Sequence, residues 1–481
     1  MRVLSEIEPG EIWFWFEEIS RIPRPSGSEK EIADFLVDFA GKRNLPVKRD
    51  DVNNVLITSP GRGNAASHPS LVLQAHVDIV PEKTDDSSHI FTSDPIIPEI
   101  DGDWVTSKKT TLGADNGIGV ALMLAVLDSD DISHPFLECL FTTDEERGLT
   151  GAAQLDSEWI TSKRLINLDS EDEGVFTIGC AGGLDFTVSM NFDRTDVPAE
   201  YYRLEITGLR GGHSGMEINK NRGNAIRFLG RILHRICNHH NCLIADIEGG
   251  SKRNAIPRTA IAVISIQKQS VDAVRELIQR ATIELKREYE GIEEGIETTL
   301  QSTATDRKPV SQEITIRIIN LLLSMPHGVE KMSGVVPGLV ETSVNMAIAS
   351  MKEDRFILEF AARSPMDSAK QALAARAAAI AELAFCDFRA GSAYPGWMPD
   401  SNSALLTKIA NIYREVTGNE PVIETIHAGL ECGIIGDRIA GMEMISMGPN
   451  IRDVHIPGEK VSISSLQRFW IFFKSVMEFL D

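Results

Sequence analysis

The order of apolar and polar positions divides the chain into two textures. GEIWFWFEEISRI (residues 10–22) has helical spacing and stops at PRPSG. Ser26 with Glu29 then makes a capping-box pattern ahead of the helix EIADFLVDFAGK. NNVLITS and SLVLQAHVDIV are apolar runs of strand length. GIGVALMLAVLDS is apolar on most faces and predicts a buried helix, and FLECLFTT and RLINLD are again short apolar strands. Strands alternating with helices predict an α/β domain with a partly parallel sheet.

The texture changes after GCAGG (residues 179–183). YYRLEIT, NAIPRTAIAVISIQ, LVETSVNMAIAS and RFILEFAARS predict longer strands, and LVETSVNMAI alternates as expected for a sheet with one wet face. The helices NRGNAIRFLGRILHRI, DAVRELIQRATIELKREY and SQEITIRIINLLLS lie between them, so this block reads as a separate α+β domain. NAIPRTAIAVISI plus a helix is echoed loosely by GVVPGLVETSVNMAI, a strand and the helix AKQALAARAAAIAELAF, a pattern that a duplication would leave. After YPGW (residues 394–397) the first texture returns with SALLTKIANIYREV, MEMISM and SSLQRFWIFFKSVMEFL. The simplest arrangement builds one α/β domain from residues 1–182 and 397–481 and inserts residues 183–396 into it. A chain of 481 residues is too long for a single core, which agrees with this division.

Composition adds exclusions. A formal net charge of -22 disfavours nucleic acid and anionic membranes as partners, without fixing the charge inside a cleft. No apolar run reaches the ~20 residues needed to cross a bilayer. The six cysteines form no C-x-x-C pair, and the acidic N-terminal segment has no signal-peptide pattern, so a reducing, cytoplasmic setting is expected.

The chemistry gathers where apolar strands stop. SLVLQA ends in His76 and Asp78, FLECLFTT in Asp144, Glu145 and Glu146, and RLINL in Asp169. The buried helix is preceded by Asp115, and MEMISMGPN leads to His455. Ligands of open α/β sheets bind beyond the carboxyl ends of the strands. Imidazole and carboxylate together suit zinc. Any one of these residues alone fits a solvated loop; their joint placement is what points to a metal site. GADNGIG lacks the Gly-Lys-Ser/Thr ending of a phosphate loop.

HVDIVP, LGADNGIG, TTDEERGLTG, LINLDSEDEG, GCAGG, GGHSG, KRNAIPR, HAGLECG and the late His455 together resemble the di-zinc exopeptidases of the carboxypeptidase, deacylase and dipeptidase superfamily. Within it the chain is most similar to the aminoacyl-histidine (Xaa-His) dipeptidases. The resemblance runs in order through nearly the whole chain. It implies a catalytic α/β domain, a mixed but mainly parallel sheet between helices, carrying an inserted α+β lid or dimerisation domain. It also implies two zinc ions, with manganese or cobalt as substitutes. Asp115 would bridge them, His76 and Asp169 would complete one site, and Glu146 and His455 the other. A cis peptide would follow Asp115. Glu145 would be the general base and Asp78 the partner that orients His76.

In the lid, the resemblance makes His213 of GGHSG the group that stabilises the oxyanion, from its own subunit or from a partner's. Arg363 is a candidate for the substrate carboxylate, which a guanidinium binds in bidentate fashion. Asn254 is a candidate polar contact to the dipeptide, and Glu431 of HAGLECG belongs near the substrate by the same resemblance. The implied activity is hydrolysis of dipeptides, preferentially Xaa-His, by a cytoplasmic homodimer joined through the lid. Deacylation of N-acyl amino acids or a broader di- and tripeptidase activity is the alternative. A non-catalytic binding protein would have no need of Glu145.

Overall fold

The computed structural model describes residues 2–196, 200–334, 336 and 338–481. The chain forms two compact units. The first comprises Met1–Cys180, Trp397–Thr425 and Leu430–Asp481, and the second Ala181–Gly396 and Ile426–Gly429. The short stretch Ile426–Gly429, within a segment that the textures alone assign to the first domain, packs with the second unit.

The sheet of the first unit has eight strands in the order Val47–Arg49, Val55–Ser59, Leu137–Thr142, Leu71–His76, Arg164–Asn167, Glu443–Ser446, Val175–Cys180 and Val422–Ile426. The four from Leu137–Thr142 to Glu443–Ser446 run parallel, and antiparallel strands flank them. Both Leu71–His76 and Leu137–Thr142 are buried at every position, which is why they read as unbroken apolar runs. The helix Ala114–Asp128 is apolar all round because it too is enclosed. Gly119 lets it approach the sheet, since a Cβ there would lie 3.0 Å from the Ala75 methyl.

A small antiparallel sheet joins Ile451–Arg452, Lys460–Ser462, Trp104–Thr106 and Glu99–Asp101. It holds the late loop that carries His455 beside the segment leading to Asp115.

The second unit is built on a long antiparallel sheet. Its order is Glu297–Thr303, Glu200–Thr207, Ala260–Ile266, Cys242–Gly249, Val340–Met351, Arg355–Ser364, Gly182–Asn191 and Asp387–Tyr394, with Gly328–Met332 pairing beside Val340–Met351. The order is mirrored about the central pair. Cys242–Gly249 comes after the helix Ala225–His239, and Val340–Met351 after the helix Gln312–Ser324 with Gly328–Met332 between; each pairs with a later neighbouring strand, Ala260–Ile266 or Arg355–Ser364. Each neighbouring strand then leads to a helix, Val271–Glu288 or Asp367–Leu383, and on to an edge strand. Topology therefore matches Ala260–Ile266 with Arg355–Ser364, one strand later than the echo in GVVPGLVETSVNMAI suggests. Val335 and Pro337 of that echo lie outside the described residues.

Two local expectations change. NAIPRTAIAVISIQ is two strands, Ala255–Ile256 and Ala260–Ile266, parted at Pro257, which has no N–H to give a ladder. The Ser26–Glu29 capping box does not form: the helix Lys30–Lys42 has no side-chain cap. Ser26 Oγ donates instead to Asp78 (2.8 Å), and Glu29 accepts from the Gly27 N–H (2.6 Å).

Candidate active site and metal centre

His76 ends a parallel strand, and its ring is fully buried. Its Nδ1 faces the carbonyl oxygen of Asp78 at 3.1 Å and the Asp78 carboxylate at 3.4 Å. Its Nε2 faces Asp115 at 3.1 Å and Asp169 at 3.4 Å. The second oxygen of Asp115 lies 3.1 Å from His455 Nε2, which is also 3.0 Å from Glu146. One aspartate thus addresses two imidazoles with its two oxygens. The Asp115–Asn116 peptide is cis. His455 has a left-handed backbone (φ 63°) that turns its ring back from an exposed loop.

Glu145 and Glu146 open a four-residue helix, Glu145–Gly148, directly after the left-handed Asp144. Adjacent helical residues point about 100° apart, so the two carboxylates diverge. Glu146 joins Asp115 and His455; Glu145 lies within reach of His76 and Glu146. Asp144 takes Arg147 as its partner at 2.6 Å. Asp78 accepts the backbone N–H groups of Glu145 (3.1 Å) and Glu146 (3.3 Å), and so couples the His76 strand to the glutamate turn.

These side chains fit a pair of divalent cations. When His76 Nδ1 donates to Asp78, the Nε2 lone pair faces two carboxylates, an arrangement that needs a proton or a cation between them. Glu146 Oε1 is buried among the described residues without a hydrogen-bond partner. The electrostatics of these side chains agree. Burial raises Glu145 well above the usual carboxylate range; His76 opposes this, while Asp169, Glu146 and Glu431 add to it. Burial pushes Asp169 up to about 6 against the pull of His76. Burial resists charge on His455, but Asp115 and Glu146 outweigh it and lift that imidazole to about 11. A surplus of carboxylates that reject charge is the composition two cations relieve.

The other candidates lie in the second unit, except Glu431. His213 pairs with Ala255 across a two-residue ladder, and the Ser214 N–H donates to the Asn254 carbonyl at 2.8 Å, which brings His213 and Asn254 together. The Met216 N–H donates to His213 Nδ1 (3.1 Å), so the neutral ring carries its proton on Nε2. A Cβ at Gly215 would lie 3.1 Å from the His213 ring, 3.3 Å from Arg363 Nε and 2.3 Å from the His427 carbonyl. Only glycine lets these three approach. Arg363 Nη1 donates to the Tyr394 hydroxyl at 3.3 Å.

The resemblance places Glu431 near the substrate, but its carboxylate is fully buried in the first unit, in the polar layer with Gln74 and Thr142. Gln74 Nε2 and Thr142 Oγ1 each donate to it at 2.6 Å. Burial raises its pKa to about 7.

A model of the M20-type peptidase dimerisation domain matches residues 204–293. The cytosol non-specific dipeptidase of Escherichia coli (strain K12) is 39% identical over 480 residues, 99% of each chain. The chain belongs to the M20 family of peptidases. A solved aminoacylhistidine dipeptidase from Vibrio alginolyticus is 40% identical, with a TM-score of 0.87 over 99% of this chain and 97% of that one. An aminopeptidase from Bacillus cereus ATCC 10987 shares the fold at 16% identity, with a TM-score of 0.58 and 98% of each chain covered.

Several polar residues of the two units escape motif reading. Gln74 bridges Glu431 to Asn167, whose amide donates to Gln74 Oε1 at 2.6 Å. Gln74, Asn167 and Ser446 are polar residues inside apolar strands, and that interruption is the signal that marks them. His427 opens HAGLECG and accepts or donates to Ser343 Oγ at 2.7 Å. Burial and Arg363 push its pKa down to about 3, so it is neutral. Arg24 and Glu459 carry no signal in the sequence, because their partners lie far along the chain, and Ser26 carries only the capping-box pattern.

Proposed function

We propose that this chain is a dipeptidase that uses two divalent metal ions, zinc with manganese or cobalt as substitutes, and favours Xaa-His substrates such as β-alanyl-histidine. The reading is carried by Asp115, whose two oxygens each face a different histidine, with Glu145 alongside. His76 and Asp169 would hold one ion with Asp115, and Glu146 and His455 the other. When bound, the ions polarise the scissile carbonyl and lower the pKa of the attacking water.

Glu145 takes a proton from that water and returns it to the leaving amine. It stands among the ligand candidates His76 and Glu146, where a base for that water is needed. Asp78 orients the His76 ring and holds the glutamate turn through its two backbone N–H groups. His213 offers Nε2–H to the oxyanion, from its own subunit or a partner's. Arg363 takes the substrate carboxylate, and Asn254 makes a polar contact to the dipeptide.

The dimerisation-domain match within the second unit and the Escherichia coli relative, named for the cytosol, support a cytoplasmic homodimer joined through that unit. Among the described residues no helix is long and apolar enough to cross a membrane.

The test is to count metal in the purified protein and assay Xaa-His dipeptides, other dipeptides, tripeptides and N-acetyl amino acids. Dipeptide cleavage that is lost on chelation and restored by zinc is expected. Release of N-acetyl groups without dipeptide cleavage would overturn the reading.

A further inference from the structure

Two buried charged residues from opposite ends of the chain clasp the backbone that presents Asp115. The helix Ala114–Asp128 begins at Gly113, which is left-handed (φ 71°) and supplies no side-chain cap. N–H groups at a helix start have no partner within the helix. Here Glu459 takes them: its Oε2 accepts from Leu112 (2.9 Å) and Gly113 (3.0 Å), and its Oε1 from Asp115 (3.0 Å). Arg24 acts on the same segment from its carbonyl side. It donates from Nη2 to the Gly113 oxygen at 2.8 Å and from Nη1 to the Val77 oxygen at 2.7 Å. Val77 stands between His76 and Asp78. One guanidinium therefore ties the His76 loop to the Asp115 loop, while one carboxylate holds the latter from the other side.

The fold keeps space and support for this clasp. Arg24 and Glu459 are each 2% exposed. A Cβ at Gly113 or Gly117 would come within 2.9 or 2.5 Å of Arg24 Nη2, so these glycines of LGADNGIG make room for the guanidinium. The Glu459 loop is pinned in turn. Thr106 Oγ1 donates to the Glu459 carbonyl at 2.9 Å, and the Gly458 N–H donates to the Ser107 carbonyl at 3.1 Å. Neither residue belongs to the groups whose ligand atoms cluster.

We propose that Arg24 and Glu459 are positioning residues of the two-metal centre, fixing the Val77 and Leu112–Asp115 backbones so that Asp115 addresses His76 and His455 at once. The inference rests on the two-metal reading above. Glu138 supplies a matched control. It is 2% exposed and accepts the backbone N–H groups of Thr161 and Ser162, both at 2.9 Å, at the opposite end of the strand Leu137–Thr142 from the glutamate turn and outside the ligand clusters.

The experiment strips the full-length protein of metal and titrates zinc by calorimetry into wild type, Glu459→Gln, Arg24→Lys and Glu138→Gln, with the melting temperature of each metal-free protein measured alongside. Glu459→Gln and Arg24→Lys are expected to weaken at least one zinc-binding step by roughly 10–100-fold, and Glu138→Gln by less than about twofold. Zinc affinities of Glu459→Gln and Arg24→Lys within about twofold of wild type would overturn the proposal. So would an equal loss in Glu138→Gln, since the effect would then be general destabilisation. Should Glu459→Gln not fold, Arg24→Lys decides by the same criteria. Wild-type protein that takes up no zinc would sink the two-metal reading itself, and this inference with it.

Discussion

In the first unit the candidate groups stand at the ends of parallel strands, with His76 closing Leu71–His76 and Glu145 and Glu146 following Leu137–Thr142. In the second unit they stand on antiparallel pieces. His213 sits on a two-residue ladder, Arg363 near the end of Arg355–Ser364, and His427 on a stretch contributed from beyond the inserted block. The difference follows from topology. Parallel strands all end on one side, so chemistry placed just after each strand converges without further instruction. Antiparallel strands alternate in direction, so convergence there depends on cross-strand register and on glycines such as Gly215. The mirrored sheet sharpens this point, because its halves share an architecture while the candidates do not repeat: Arg363 stands on one of its strands, and His213 on the separate ladder with Asn254 next to it.

The contrast assigns different kinds of loss to the two units. The largest is expected at Glu145. Glu145→Ala should retain both metals and lose about 10²–10⁴-fold in kcat. Loss of one metal in that variant, read by elemental analysis, would show that Glu145 and Glu146 have exchanged roles. Next comes His213→Ala, with a fall of about 10²–10³-fold in kcat and unchanged metal content, as for other oxyanion donors. Near-wild-type kcat would remove His213 from the chemistry and leave the second unit with binding alone. The smallest is expected at Arg363. Arg363→Lys keeps the charge but loses the planar fork, and should raise KM by roughly 10-fold with kcat less affected. A fall in kcat with KM unchanged would place Arg363 in the transition state and blur the division of labour between the units.

The fold of the first unit was largely legible because buried parallel strands and an enclosed helix leave long apolar runs. The second unit was legible as strands and helices, yet its pairing was not. The echo centred on SVNMAI matched the wrong strand because sequence similarity between amphipathic strands does not report which neighbour each one joins. NAIPRTAIAVISIQ reads as one strand because the apolar flanks of Pro257 conceal that the chain makes two strands there. The Ser26–Glu29 pattern obeyed the rule for a cap and was overridden by Asp78, a stronger acceptor that only the tertiary fold brings near.

The sequence by itself determined which residues could carry chemistry, since His76, Asp115, Glu145, Glu146, Asp169 and His455 each stand where an apolar element stops or starts. It could not determine how those loops are held. Glu459 reaches the Leu112 N–H across 347 positions and Arg24 reaches the Gly113 carbonyl across 89. Such contacts leave no local pattern, because a buried charge is tolerated wherever the fold supplies partners and the partners here are backbone groups, which every residue possesses. Tertiary structure alone decided that one carboxylate and one guanidinium, drawn from opposite ends of the chain, would close on the same loop.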